Sequence, residues 1–250
     1  MPKLKTTRKD FKKFLETQPL KRPLHPWRPC PYGQYYRKMR GSYIRQGKVI
    51  KPGPDSWECA HFPSGKDQIY SDELKRIAET YFSKLKGPPT TDDLSYENGN
   101  KYDDYIRGWT KYWNDIFKPK VPLDPDLVKA LIATESSFKE EETNYAGKKE
   151  GKARGLMQIT DRTRKILSDE KGEIKDHYVN LEENETTDPN YNIATGIRWL
   201  FRKKEILDKR RRKNKPTWID AVAAYKAFSR NHPKMKKFEN LYDRAKKGKK

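Results

Sequence analysis

No apolar run in these 250 residues approaches the roughly 20 needed to span a membrane, so no transmembrane helix is expected. Met1 to Leu20 is basic but lacks an apolar h-region, which excludes an ordinary secretory signal there. If the substrate lies outside the cytoplasm, something else must deliver the protein. Hydrophobic residues are only 33% of the chain against 36% charged, so the core should be modest. Cysteine is scarce. Cys30 and Cys59 allow one disulfide in an oxidising compartment, or two free thiols. His25 and His61 lie near them, but Cys59-x-His61 fits no common zinc module, so no metal site is expected. No internal repeat and no recognisable nucleic-acid module are visible.

What the chain has in quantity is aromatic residues and positive charge. Its 6 Trp, 15 Tyr and 9 Phe argue against wholesale disorder. The net charge of +21 attracts polyanions: nucleic acid, anionic lipid or acidic wall polymers. Sign alone does not choose among them.

Residues 1 to about 68 differ from the rest. Leu20 to Pro31 is too proline-rich for a helix or central strand and should run extended over a surface. Ser42 to Arg45 and Lys48 to Ile50, around Gln46-Gly47, fit a small hairpin that Lys51-Pro52-Gly53-Pro54 ends. From residue 69 onward the pattern is helical. Asp72 to Lys86 carries Leu74, Ile77, Tyr81, Phe82 and Leu85 on one side, and Gly87-Pro88-Pro89 stops it. Tyr102, Tyr105, Ile106, Trp109, Trp113, Ile116 and Phe117 mark an amphipathic helix, read as packing against the helix that follows. Further helices are expected around Thr163 to Leu167, after Asp188-Pro189, from the capping box Thr217 to Asp220, and from Pro233 to about Lys246. Gly172 to Thr187 reads as polar loop. Strands are few, and the domain from 69 to 250 reads as all-α.

One acidic residue stands out. Asp124-Pro125 is a helix start: a side-chain cap, then a residue whose missing N–H costs nothing in the first turn. Leu127, Val128, Leu131 and Phe138 then recur at helical spacing, with Glu135 four residues after Leu131 and three before Phe138. On the buried stripe its carboxyl is expensive to ionise, and its raised pKa makes a proton donor usable near neutral pH. At the stripe's edge it would instead be an ordinary glutamate with its head in water. The Glu140-Glu141-Glu142 run reads as solvated surface.

Four pieces in order resemble the soluble lytic transglycosylases and goose-type lysozymes. These are Glu135-Ser136-Ser137-Phe138, Gly155-Leu156-Met157-Gln158-Ile159, Asp188-Pro189 with Asn192, Ile193 and Gly196, and Ala221-Val222-Ala223-Ala224-Tyr225. The resemblance covers roughly residues 100 to 245. It implies a lysozyme-like α-helical fold behind an irregular amino-terminal extension, no cofactor, and peptidoglycan glycan strands as substrate. Glu135 would be the catalytic residue. Ser137, Met157, Gln158, Asn192, Tyr225, Lys226 and Tyr242 would contact or orient around the substrate. Ser137 and the Tyr225 hydroxyl would reach the Glu, and Gly196 would permit close helix packing. The pattern breaks at Lys226, where members of the family usually carry Asn with Gly shortly after.

Such a single carboxylate would act first as acid and then as base, the substrate's N-acetyl group replacing a second carboxylate. Cleavage would fall between N-acetylmuramic acid and N-acetylglucosamine, closing a 1,6-anhydro ring. Hydrolysis by a muramidase of the same fold is the alternative, and a basic nucleic-acid-binding protein a more distant one. Action in the periplasm or wall would require delivery by lysis, a virion or a specialised secretion machine. Residues 1–68 would then be a candidate dock for the carrier, and an immunity protein a candidate plug for the cleft.

Overall fold

The computed structural model describes residues 25–31, 33–38, 43–45, 48–51, 57–61, 65–210 and 215–248. Leu20 to Leu24 of the proline-rich stretch, the Gln46-Gly47 turn, the Pro52-Gly53-Pro54 stop, Arg211 to Asn214 of the basic run and the last two lysines lie outside them.

Among the described residues seven helices follow the expected starts closely: α1 (Ser71–Tyr81), α2 (Asp103–Phe117), α3 (Pro125–Glu135), α4 (Asp161–Ser168), α5 (Pro189–Arg210), α6 (Trp218–Tyr225) and α7 (Pro233–Lys247). A short 3₁₀ turn, Phe82–Lys84, extends α1. Local capping explains the starts. The Asp124 carboxylate accepts from Asp126 N at 3.0 Å, and Asp188 accepts from Tyr191 N at 3.1 Å. Thr217 and Asp220 form a reciprocal capping box.

The domain is not purely helical. β5 (Gln68–Tyr70) pairs in parallel with β9 (Tyr178–Asn180), Ile69 opposite Val179. β6 (Thr143–Tyr145), β7 (Lys152–Arg154) and β8 (Ile159–Thr160) form a three-stranded antiparallel sheet. These strands are two or three residues long, and all of Thr143–Tyr145 is exposed. Strands so short carry no alternation of apolar and polar residues, so their sequence reads as loop. Closer to the amino terminus, β1 (Gln34–Lys38) pairs with β4 (Trp57–His61), and β2 (Tyr43–Arg45) with β3 (Lys48–Ile50) in the expected hairpin.

The aromatic stripe of α2 is the centre of the core. Trp109 and Trp113 are fully buried. Both indole N–H groups are satisfied on α5: Trp109 donates to Asn190 Oδ1 at 2.7 Å and Trp113 to the Ala194 carbonyl at 2.9 Å. The stripe therefore packs on α5 as well as on α3. α3 is clasped between α2 and α7.

The His25–Pro31 segment does not lie over a surface. Trp27 is buried in the main core, with its ring edge-on to Tyr81 and Phe82. Arg28 is buried among Asp67, Glu73 and the Gln68 carbonyl. A guanidinium offers five donors in a fixed fork, which makes it a natural residue for such a cage. The pairing left open by the sequence is a disulfide: Cys30 and Cys59 are bonded, with Cα atoms 5.6 Å apart. It joins this segment to β4.

Candidate active site

Helix α3 is eleven residues long, and Glu135 is its last residue. Leu127, Val128, Leu131 and Ile132 bury the helix, so Glu135 is carried to the rim of the core. The chain then turns sharply, with Ser137 and Phe138 at φ 54° and 61°. Left-handed φ is uncommon outside glycine. Here it reverses the chain and returns Phe138, fully buried, to the core against Tyr96.

The Glu135 side chain is 16% exposed and opens into a cleft of about 600 Å³. Burial pushes its carboxyl above the usual carboxylate range, while Lys226 and Lys234 pull the other way. Its place at a helix C-terminus, the negative end of the dipole, also disfavours the ionised form.

Lys226 is the direct partner. Its Nζ lies 2.5 Å from Glu135 Oε1, 3.1 Å from Thr134 Oγ1 and 3.4 Å from the Thr134 carbonyl. An ammonium has three donors, and all three are accounted for. Lys226 is placed by the end of α6. It is the C-cap, and Phe228 N donates back to the Ala223 carbonyl at 2.9 Å. Between them Ala227 takes φ 55°, the left-handed position where glycine is usual.

The turn from Gly155 to Ile159 forms another part of the cleft. Gly155 has φ 72°, and a Cβ there would sit 2.4 Å from Asn192 Nδ2. Gln158, at φ 50°, lines the cleft. Its amide donates to the Glu142 and Gly155 carbonyls and accepts from Asn144 Nδ2 at 2.9 Å. It thus ties the turn to the segment leading into β6.

Of the residues expected at the site, Glu135, Gln158, Tyr225 and Lys226 come together in this cleft. The others are placed elsewhere. Ser137 is exposed beyond the turn and does not bond Glu135; the neighbouring hydroxyl that enters the cluster is that of Thr134. The Met157 side chain is buried against Gly196, where a Cβ would meet its sulfur at 2.4 Å. Asn192 is fully buried and braces the turn from beneath, accepting from Met157 N and donating to the Arg154 and Thr186 carbonyls. The Tyr225 hydroxyl donates to the Met157 carbonyl at 2.6 Å and not to Glu135. Tyr242 donates to Asp124 Oδ2 at 3.0 Å, at the opposite end of α3 from Glu135.

Several lining residues carry no signal in the motifs: Thr134, Asn144, Lys203, Lys234 and Lys237. Trp199 has a partial one. It lies three residues after Gly196 and seven after Asn192, on the face of α5 that meets the Gly155 turn.

The family model for the transglycosylase SLT domain matches residues 117–247, just over half of the chain, and the chain belongs to that family. The matched span begins at the end of α2, later than the residue 100 expected, and includes the whole cleft. No curated protein and no solved structure matches the chain. Membership gives the general activity: a protein of lytic-transglycosylase type that acts on cell-wall peptidoglycan. Among the described residues no helix is long and apolar enough to cross a membrane.

Proposed function

We propose that the chain is a lytic transglycosylase that cuts between N-acetylmuramic acid and N-acetylglucosamine with Glu135 as its one catalytic carboxyl. The observation that carries this is the solitude of Glu135 in the cleft. Among the described residues the only other acid in the lining is Glu150, which is tied to Arg162 at 2.8 Å and accepts from Thr160. Among the described residues the cleft therefore offers no second free carboxylate of the kind that two-carboxylate glycosidases require.

The steps follow from that geometry. Protonated Glu135 donates to the glycosidic oxygen as the bond from the anomeric carbon breaks. The substrate's N-acetyl oxygen takes up the positive charge at that carbon. Glu135, now ionised, removes the proton from the muramyl 6-hydroxyl. That oxygen closes on the anomeric carbon and releases the N-acetyl group. The proton count on the enzyme returns to its start and no water is consumed.

Lys226 shapes both halves. A cation 2.5 Å from Oε1 stabilises the carboxylate that forms as the proton leaves, which favours the first transfer. It also opposes reprotonation from bulk water. Burial and the helix end oppose Lys226, so the site balances two demands on one proton.

Digestion of purified peptidoglycan tests the proposal. Soluble anhydro-muropeptides are expected from the native protein and should disappear with Glu135→Gln. Products with ordinary reducing ends would show hydrolysis and overturn the anhydro step. A carrier that holds residues 1–68, and an immunity protein that plugs the cleft, extend this reading to delivery. Pull-downs from the source cell test both.

A further inference from the structure

Four lysines and two glutamates line the cleft. One of the four lysines and both glutamates are matched within the protein: Lys226 with Glu135, and Arg162, from just outside the lining, with Glu150. Lys203, Lys234 and Lys237 remain. Among the described residues none of the three has an ion-pair partner. Two are held over aromatic rings instead. Lys203 Nζ sits 4.3 Å from the Trp199 ring centroid, and Lys234 Nζ 5.3 Å from that of Phe228. Stacking of this kind fixes an ammonium without neutralising it. Lys203 is also partly desolvated, and burial pulls its ammonium below the ordinary lysine range.

Unmatched cations gathered in a concave, half-enclosed space repel one another and focus a positive potential. Neutral sugar rings offer hydroxyls and acetamides, which need no such charge. An anionic occupant would repay the repulsion. We propose that Lys203, Lys234 and Lys237 form an anion subsite that reads the carboxylates on the peptide substituents of the glycan strand, so that the enzyme prefers strands whose peptides carry free carboxylates. This rests on the peptidoglycan-cleaving reading of the same cleft and adds a substrate preference to it.

Lys203 and Lys237 stand apart from the chemistry at Glu135, whereas the charge of Lys234 also reaches that carboxyl. Lys203 comes from α5, and Lys234 and Lys237 lie one turn apart on α7. The two helices supply the charges from different parts of the chain, so the subsite exists only in the folded domain.

The test uses the full chain and two substrates freed of phosphate-bearing wall polymers. One is peptidoglycan with its carboxylates intact; the other has them converted to neutral methylamides. The native protein should cleave the intact wall with about tenfold higher kcat/KM than the amidated wall, as three partly exposed charge contacts would give. Combined Lys203→Gln and Lys237→Gln, which leave the Lys234 charge beside Glu135 in place, should remove most of that preference while leaving the rate on amidated wall within about twofold, a shift mainly in KM. A control removing equal charge from exposed positions outside the cleft, Lys84→Gln and Lys120→Gln, should keep the preference. Equal rates on the two walls, or a preference that survives the cleft double variant, overturns the subsite. A preference lost equally in the control assigns it to overall charge and overturns it too. Failure to release any product from either wall would instead overturn the catalytic reading. Phosphate-bearing polymers restored to the wall should leave the preference unchanged; if they create it, the ligand is phosphate and not carboxylate.

Discussion

Two lysines in this domain hold buried carboxylates, and they do opposite jobs. Lys129, in the middle of α3, is fully buried. It donates to the Thr90 carbonyl at 2.7 Å, to Asn100 Oδ1 at 2.5 Å and to Asp103. Lys226, at the end of α6, donates to Thr134 and to Glu135. In both pairs burial raises the carboxyl pKa and the lysine opposes it, Asp103 reaching about 6. The difference is where the carboxylate faces. Asp103 opens α2 and its lysine pins the loop before that helix. Glu135 closes α3 and opens onto the cleft. The same pair is a strut when every acceptor is protein, and a working acid when one side of the carboxyl is left to a substrate.

The largest effect expected separates the two carboxyls by activity. Glu135→Gln keeps size and the contact with Lys226 but removes the proton donor. Muropeptide release should fall by about 10³-fold, within the usual range for losing a general acid, with the far-UV spectrum and melting temperature nearly unchanged. An equally active Gln variant would move catalysis elsewhere in the cleft.

Stability should separate the two lysines. Lys129→Met leaves the Thr90 carbonyl, Asn100 and Asp103 without their shared donor inside the fold. Breaking a buried pair from one side costs about 3–5 kcal/mol, to be read from denaturant midpoints. Lys226→Asn keeps a polar group beside a cleft that water can enter, and should cost less than half as much. Equal losses for the two variants would make Lys226 a strut as well.

The sequence reveals these two regions unequally. Asp124-Pro125, Asp188-Pro189 and Thr217 with Asp220 are legible because a cap needs only its next three or four residues. Glu135 is legible for the same reason, since its stripe lies within one helix. The Lys226–Glu135 contact joins residues 91 apart, and no local pattern announces it. The departure of Lys226 from the family pattern is visible in the sequence, but its motif points to a substrate contact and not to a partner for the acid. Asn192 differs in the reverse direction. Its motif pointed to substrate, whereas its three hydrogen bonds hold the Gly155 turn that presents Gln158. Trp27 and Arg28 were hidden by their prolines: a segment barred from helix and sheet can still bury its side chains.

The pH profile sharpens the comparison further, because only one of the two carboxyls enters the reaction. Glu135 must begin protonated, so kcat/KM should fall as pH rises through its pKa. Lys226 lowers that pKa against the rise from burial. Removing the cation with Lys226→Asn should therefore move the falling limb to higher pH. Lys129→Met should leave the limb where it is, in whatever fraction of the variant remains folded. A limb that stays fixed in Lys226→Asn would show that the cation does not set the proton affinity of Glu135.

The smallest effect concerns how Lys226 is held. Lys129 is fixed by helix on both sides, whereas Lys226 depends on the turn after α6, where Ala227 takes the left-handed position. A Cβ in that conformation costs about 1 kcal/mol relative to glycine, partly offset by the greater freedom of glycine in the unfolded chain. Ala227→Gly should therefore raise stability by about 0.5 kcal/mol, a shift of a degree or two in melting temperature for a domain of this size. Because the Phe228–Ala223 hydrogen bond that closes the turn is made by backbone, the lysine should stay on Glu135 and the pH limb should not move. A variant that gained stability but shifted the limb would show that the strained alanine, and not the turn's hydrogen bond, presses Lys226 onto the acid.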